Sequence, residues 1–127
     1  DKYAKSLEVE PEKITFNAMD EALLKRAMAI VEKNMDNIEF STDEFAREMN
    51  MSRSNLHLKL KAITGESTID FIRKIRFNEA AKLLKDGRYT VAEVSTMVGF
   101  NTPSYFATSF KKYFGCLPTE YIKKSKG

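Results

Sequence analysis

The chain repeats itself. Displaced by 49 positions, Thr42 falls on Val91, Phe45 on Val94, Asn50 on Gly99 and Met51 on Phe100. Displaced by 50, Leu56 falls on Phe106, Leu60 on Phe110, Gly65 on Gly115, and Phe71-Ile72 on Tyr121-Ile122. The change of offset puts one inserted residue in the turn of the second copy. A fixed period in which turns, apolar positions and stop signals all coincide is one structural unit written twice. Whatever the first copy forms, the second must form as well.

The unit is two short helices around a tight turn. In the second copy, Thr90-Val91-Ala92-Glu93 is a capping box that opens a helix with Val94, Met97 and Val98 as its apolar positions, and Gly99 is the turn. Thr102 then caps a helix with Pro103 at its first position, where the missing N–H costs nothing. Phe106, Phe110 and Tyr113 recur at i, i+4, i+7 and lie on one stripe, and Gly115 ends the helix. The first copy reads the same way. Ser41-Thr42-Asp43-Glu44 is a capping box, Phe45, Ala46 and Met49 are buried, and Asn50-Met51 makes the break. Ser52 caps a second helix with Leu56, Leu60 and Ile63 on its apolar stripe, closed by Gly65. Two helices so joined are a helix-turn-helix.

Around the copies, Asp20 caps a packing helix running to about Asn34, with Leu23, Ala27, Ile30 and Val31 as its stripe. A longer helix runs from Thr68 to Lys85, with Ile69, Ile72, Ile75 or Arg76, Ala80, Leu83 and Leu84 facing inward, and a short one starts at Pro118. The expected fold is all-α: two helix-turn-helix subdomains joined by a long linker helix, about seven helices in all. Residues 1–19 form a linker or arm, 20–66 the first subdomain, 67–86 the linker helix and 87–127 the second subdomain.

Composition removes several classes of function. No run approaches the 18 apolar residues of a membrane span, and Asp1-Lys2-Tyr3-Ala4-Lys5 lacks a signal-peptide core, so the expectation is a soluble, cytoplasmic chain without membrane contact. Cys116 is the single cysteine and reads as a small apolar filler. His57 is the single histidine, with no partner at metal-ligand spacing, so no metal is expected. No nucleophile with a base and no glycine-rich phosphate loop is present, which points away from an enzyme and from any cofactor. Charge is uneven: six Lys/Arg against nine Asp/Glu in residues 1–40, fifteen against nine in 41–127. Ser104, Thr108, Lys111 and Lys112 oppose the aromatic stripe, and no carboxylate lies between Asn101 and Gly115. Such a face suits a phosphate-lined groove. Eighteen helical residues span about 27 Å, so the two second helices can stand about 34 Å apart, one turn of B-DNA.

Arg76 to Leu84, Val91-Ala92-Glu93-Val94-Ser95, Val98-Gly99-Phe100, Ser104-Tyr105-Phe106, Phe110-Lys111-Lys112, Gly115, Pro118 and Tyr121 resemble the C-terminal DNA-binding domain of the AraC/XylS family of bacterial transcription regulators. The resemblance covers residues 20–124. Met51 to His57 with Thr64-Gly65 is similar to versions that end hybrid two-component regulators of Bacteroides-type bacteria. It implies sequence-specific binding of double-stranded promoter DNA, with two recognition helices in successive major grooves. It also implies an activator role, RNA polymerase as a partner, and a sensor or receiver module in the same longer chain. On the first recognition helix it implicates Arg53, Ser54, His57, Leu58 and Lys61; on the second, Asn101, Ser104, Ala107, Thr108, Lys111 and Lys112. Thr108 replaces an arginine common in relatives, and Phe77 replaces a small aliphatic residue, a mild packing change. The competing reading is a helical protein–protein interaction module that docks through its aromatic-rich helix.

Overall fold

Side-chain caps at Ser41, Ser52, Thr90 and Thr102 start helices, and left-handed Asn50, Gly65, Gly87, Gly99 and Gly115 follow helix ends. The computed structural model describes residues 18–126, so residues 1–17 of the arm expected at 1–19 lie outside the described residues, while Ala18 and Met19 already belong to the first helix and Asp20 lies within its first turn rather than at its cap. Seven helices are present and no strand among the described residues: α1 Ala18–Lys33, α2 Thr42–Glu48, α3 Arg53–Thr64, α4 Thr68–Asp86, α5 Val91–Met97, α6 Pro103–Phe114 and α7 Pro118–Lys126. Two compact units form, one containing residues up to Asn34 and Phe40–Ile75, the other Met35–Glu39 and Arg76 onward. The chain is thus all-α, with α4 running from one helix-turn-helix unit into the other.

The duplication is visible in the backbone. Helices α2 and α5 are both seven residues long, and α3 and α6 both twelve. Asn50 and Gly99 sit at the turns with φ of 59° and 81°. The next amide closes each turn in the same way, Met51 N–H on Ala46 O at 3.0 Å and Phe100 N–H on Ser95 O at 2.9 Å. Ser52 and Thr102 cap the second helices, and Gly65 and Gly115 end them. The first helices differ slightly. Thr90 and Glu93 form the complete reciprocal capping box, whereas at Ser41 the hydroxyl accepts from Glu44 N–H and Glu44 makes no return bond.

In the first unit the core is built from Leu24, Ala27 and Val31 of α1, Phe45, Ala46 and Met49, the Leu56/Leu60/Ile63 stripe, and Phe71, Ile72 and Ile75 of α4. The rings of Phe45 and Phe71 stack with centroids 6.0 Å apart. Two expected inward positions move. Leu24 rather than Leu23 is the buried leucine of α1, because Leu24, Ala27 and Val31 fall at i, i+3, i+7. Ile69 is exposed, because Thr68, Phe71, Ile72 and Ile75 define the buried face at i, i+3, i+4, i+7 and Ile69 stands about 100° off it. Glu48 ties α2 to the end of α1: its carboxylate accepts from Lys33 Nζ at 3.0 Å and Asn34 Nδ2 at 3.1 Å, and its carbonyl accepts from Arg26 at 3.2 Å.

The second unit is aromatic. Phe77, Ala80 and Leu84 of α4 pack with Val94, Val98, Phe106 and Phe110. Phe77 is the hub of its rings, stacked on Tyr113 at 4.9 Å, tilted on Phe100 at 5.5 Å and edge-on to Phe110 and Phe114. Phe77, the expected site of a packing change, thus sits at the centre of this ring cluster. Beside it, Arg76 donates from Nη2 to Asn37 O at 2.9 Å and from Nη1 to Gly99 O at 3.5 Å. Burial pushes its pKa down from the ordinary guanidinium value.

A Cβ on Gly99 would lie 2.6 Å from Met35 O and 2.9 Å from Arg76 Cζ, whereas one on Gly115 meets nothing within 4 Å. Gly115→Ala is expected to cost about 1–2 kcal/mol, the left-handed penalty alone. Gly99→Ala should cost at least about 1 kcal/mol more, because backbone and guanidinium must also shift; urea unfolding of both variants checks the difference. Glu48 has its pKa lowered, first by the Lys33 hydrogen bond and also by Asn34. A carboxylate depressed in the folded state stabilises fully above its unfolded pKa and loses that contribution as pH falls through the folded one. Glu48→Gln should accordingly flatten the acid side of the stability–pH curve, read from thermal melts between neutral pH and pH 3.

Candidate nucleic-acid interface

The three apolar residues that bury α3 leave its other side in water. Arg53, Ser54, His57, Leu58 and Lys61 are all exposed there. Four of them, Arg53, Ser54, His57 and Leu58, line one open groove with Thr42 and with Ser67, Thr68 and Ile69 at the start of α4. Lys61 lies in the last turn of α3, apart from that groove. The groove lining carries no carboxylate. It does carry two exposed apolar side chains, Leu58 at 64% and Ile69 at 54%. Leu58 is legible in sequence as an apolar residue on a polar face. Ile69 is not, because reading it onto the inward face of α4 hides it. Arg53 is held at the groove edge by Asp43, Nη1 to Oδ1 at 3.1 Å.

On α6, burial of Phe106 and Phe110 turns Ser104, Thr108, Lys111 and Lys112 outward, while Ala107 is half-buried at the edge of that face. Ser104, Thr108 and Lys111 follow at i, i+4, i+7, so they share a line along the helix. The Thr108 hydroxyl donates to Ser104 O at 3.0 Å, which leaves it as an acceptor toward a partner. The Ser104 and Thr102 hydroxyls stand 3.5 Å apart. Asn101 is set apart from this line: it borders a shallow depression with Asp36, Asn37, Ile38 and Glu39, where two carboxylates oppose a phosphate. Tyr105 is a missed neighbour, 55% exposed with its ring 5.6 Å from that of Phe100. Its place one residue before Phe106, off the aromatic stripe, is the signal that locates it.

These surfaces hold hydrogen-bonding, cationic and small apolar groups on rigid helices, an inventory for reading base edges and phosphates. Among the described residues no helix is long and apolar enough to cross a membrane, and no three His, Cys, Asp or Glu side chains converge as metal ligands would. Two helix-turn-helix units joined through one helix, each presenting such a face, define the DNA-binding module of a transcription regulator.

The family described as "Helix-turn-helix domain" matches residues 45–124. Histidine kinase P4 of Formosa agariphila is 38% identical over 120 residues, covering 94% of this chain and 9% of that protein. The chain therefore spans about a tenth of the length of that relative. The C-terminal domain of AraT, a response regulator from Geobacillus stearothermophilus, superposes with a TM-score of 0.74 at 30% identity over 80% of this chain and 84% of that one. A transcriptional regulator of the AraC-type DNA-binding class from Chromobacterium violaceum shares the fold, with a TM-score of 0.76 at 24% identity over 86% and 96%. The chain belongs to the helix-turn-helix domain family, as an AraC/XylS-type domain.

Proposed function

We propose that α3 and α6 are the recognition helices, and that each unit seats its second helix in a major groove of promoter DNA. Residues 20–66 and 87–127 then act as the two docking subdomains, with 67–86 between them. Arg53, Ser54, His57 and Leu58 read base edges in the first groove: Arg53 by paired hydrogen bonds to a guanine, Leu58 by contact with a thymine methyl group. Lys61 holds a phosphate. On α6, Ser104, Ala107 and Thr108 face the bases, and Lys111 and Lys112 clamp the backbone. Asn101 stays at the margin, because Asp36 and Glu39 stand beside it. Two units of the same kind, joined through one helix, support the reading of two recognition helices in successive grooves.

The observation that carries this reading is the α6 face, with exposed Ser104, Thr108, Lys111 and Lys112 and no carboxylate from Asn101 to Gly115. A docking surface for another protein would gain from several exposed aromatic rings, yet Phe106 and Phe110 are fully buried and Tyr105 alone of the α6 rings is exposed. The relatives extend the proposal beyond this segment. Similarity to a histidine kinase nine-tenths of whose length lies outside the match, and to a response regulator's C-terminal domain, supports an output domain attached to a sensor or receiver module. We place such a protein in the cytoplasm, as an activator that positions RNA polymerase.

Binding to duplexes selected from a random pool tests the reading. Affinity should fall about tenfold or more between 50 and 200 mM salt, since several phosphates release counterions. Lys111→Ala should weaken all sequences about equally and flatten the salt slope by about one unit, whereas Leu58→Ala should relax preference at one base pair by about fivefold or more. Affinity that ignores salt would remove DNA as the ligand and leave the protein-docking alternative.

A further inference from the structure

Arg53 occupies an odd place for a cation. It is the first residue of α3, at the end of the helix where unpaired amide groups concentrate positive charge and a cation is disfavoured. Ser52 already caps that end through Asn55 N–H at 3.1 Å, so helix formation does not call for Arg53. Its partner, Asp43, is an exposed residue of the first turn of α2. An ion pair with both side chains more than half exposed adds little to stability. The repeat gives the same answer independently. The positions equivalent to Asp43 and Arg53 in the second copy are Ala92 and Pro103, and α5 and α6 form with the same lengths and with hydroxyl caps at the equivalent positions, without either charge. The pair is therefore an addition to the motif rather than part of its folding.

Its location says what the addition does. Arg53 lines the groove that also holds Ser54, His57 and Leu58, so its guanidinium stands at the rim of the reading surface. A guanidinium has five N–H donors in one rigid plane, and the bond from Nη1 to Asp43 biases the orientation of that plane while using one of the five. An untethered arginine at a helix start would swing to the nearest phosphate, a contact that carries no sequence information. The Asp43 carboxylate opposes that swing by attraction to Arg53 and by repulsion of the phosphate.

We propose that Asp43 is a positioning residue for base readout: it holds Arg53 in the orientation that pairs with the O6 and N7 acceptors of a guanine and withholds it from the backbone. This rests on the DNA reading given above. The test measures binding of the 127-residue chain to its selected duplex, with each guanine in turn replaced by 7-deazaguanine, which lacks the N7 acceptor. The unmodified chain should lose about tenfold at one guanine, within the range of a bidentate contact. Arg53→Ala should abolish that sensitivity. Asp43→Ala should cut it to less than about threefold, while unrelated duplexes bind more tightly and the salt slope steepens by about one unit. Asp43→Glu, which keeps the carboxylate, should restore part of the sensitivity. Equal melting temperatures for the variants separate these effects from loss of fold.

Full 7-deazaguanine sensitivity in Asp43→Ala overturns the positioning role, and so does an equal loss of affinity on every duplex. Selective, salt-dependent binding by the unmodified chain with no sensitive guanine overturns the positioning role alone. An absence of salt-dependent duplex binding overturns the DNA reading with it.

Discussion

One left-handed residue at each helix-turn-helix turn decides the direction of the second helix of the motif. Between α2 and α3 it is Asn50, and between α5 and α6 it is Gly99. Reversing the sign of φ at one position turns the chain sharply enough that the next amide reaches back to the preceding helix, as Met51 and Phe100 do. Asparagine tolerates that conformation at modest cost, and glycine at none. The choice between them follows from crowding. At Gly99 the carbonyl of Met35 and the guanidinium of Arg76 fill the space where a Cβ would stand.

Arg76 explains why that crowding exists. Its guanidinium bonds to Asn37 O and Gly99 O, so the segment Met35–Glu39 belongs to the second unit although it lies in sequence between two helices of the first. The next residue, Phe77, turns to the opposite task and anchors the ring cluster beneath α6. Consecutive side chains on one helix thus fix the turn and the floor of the same unit. A half-buried cation bonded to backbone carbonyls has few substitutes, because a lysine offers no planar fork to serve two acceptors.

The repeat, the caps and the three-residue apolar stripes were legible because they are local: Ser41, Ser52, Thr90 and Thr102 act within one turn, and Leu56/Leu60 or Phe106/Phe110 repeat within two. What escaped was tertiary. The inward face of α4 depends on which neighbours press on it. Sequence periodicity admits Ile69 as readily as Phe71, and only packing around Phe45 selects Phe71. Phe77 looks like a tolerated enlargement until Tyr113, Phe100 and Phe110 are seen to close on it. At the interface the exposed faces of α3 and α6 were readable by subtraction from the buried stripes. The acidic surroundings of Asn101, the Asp43 tether on Arg53 and the second apolar residue at Ile69 were not, because each joins residues from different elements.

The two copies share what is buried and differ in part of what is exposed. Across the 50-residue offset Leu56 and Leu60 answer to Phe106 and Phe110, all buried, and Ser54 and Lys61 answer to Ser104 and Lys111, all outward. His57 and Leu58, however, answer to Ala107 and Thr108, and Arg53 to Pro103. Folding requires Leu56, Leu60, Phe106 and Phe110 to be apolar and places no such demand on His57, Leu58, Arg53 or their counterparts. On the proposed DNA reading, backbone contacts are common to both units, while base contacts are concentrated on α3, whose side chains are longer and carry more donors. Two different readers in one chain demand two different half-sites. The bound segment of DNA then has a direction, which a symmetric dimer of identical heads cannot specify.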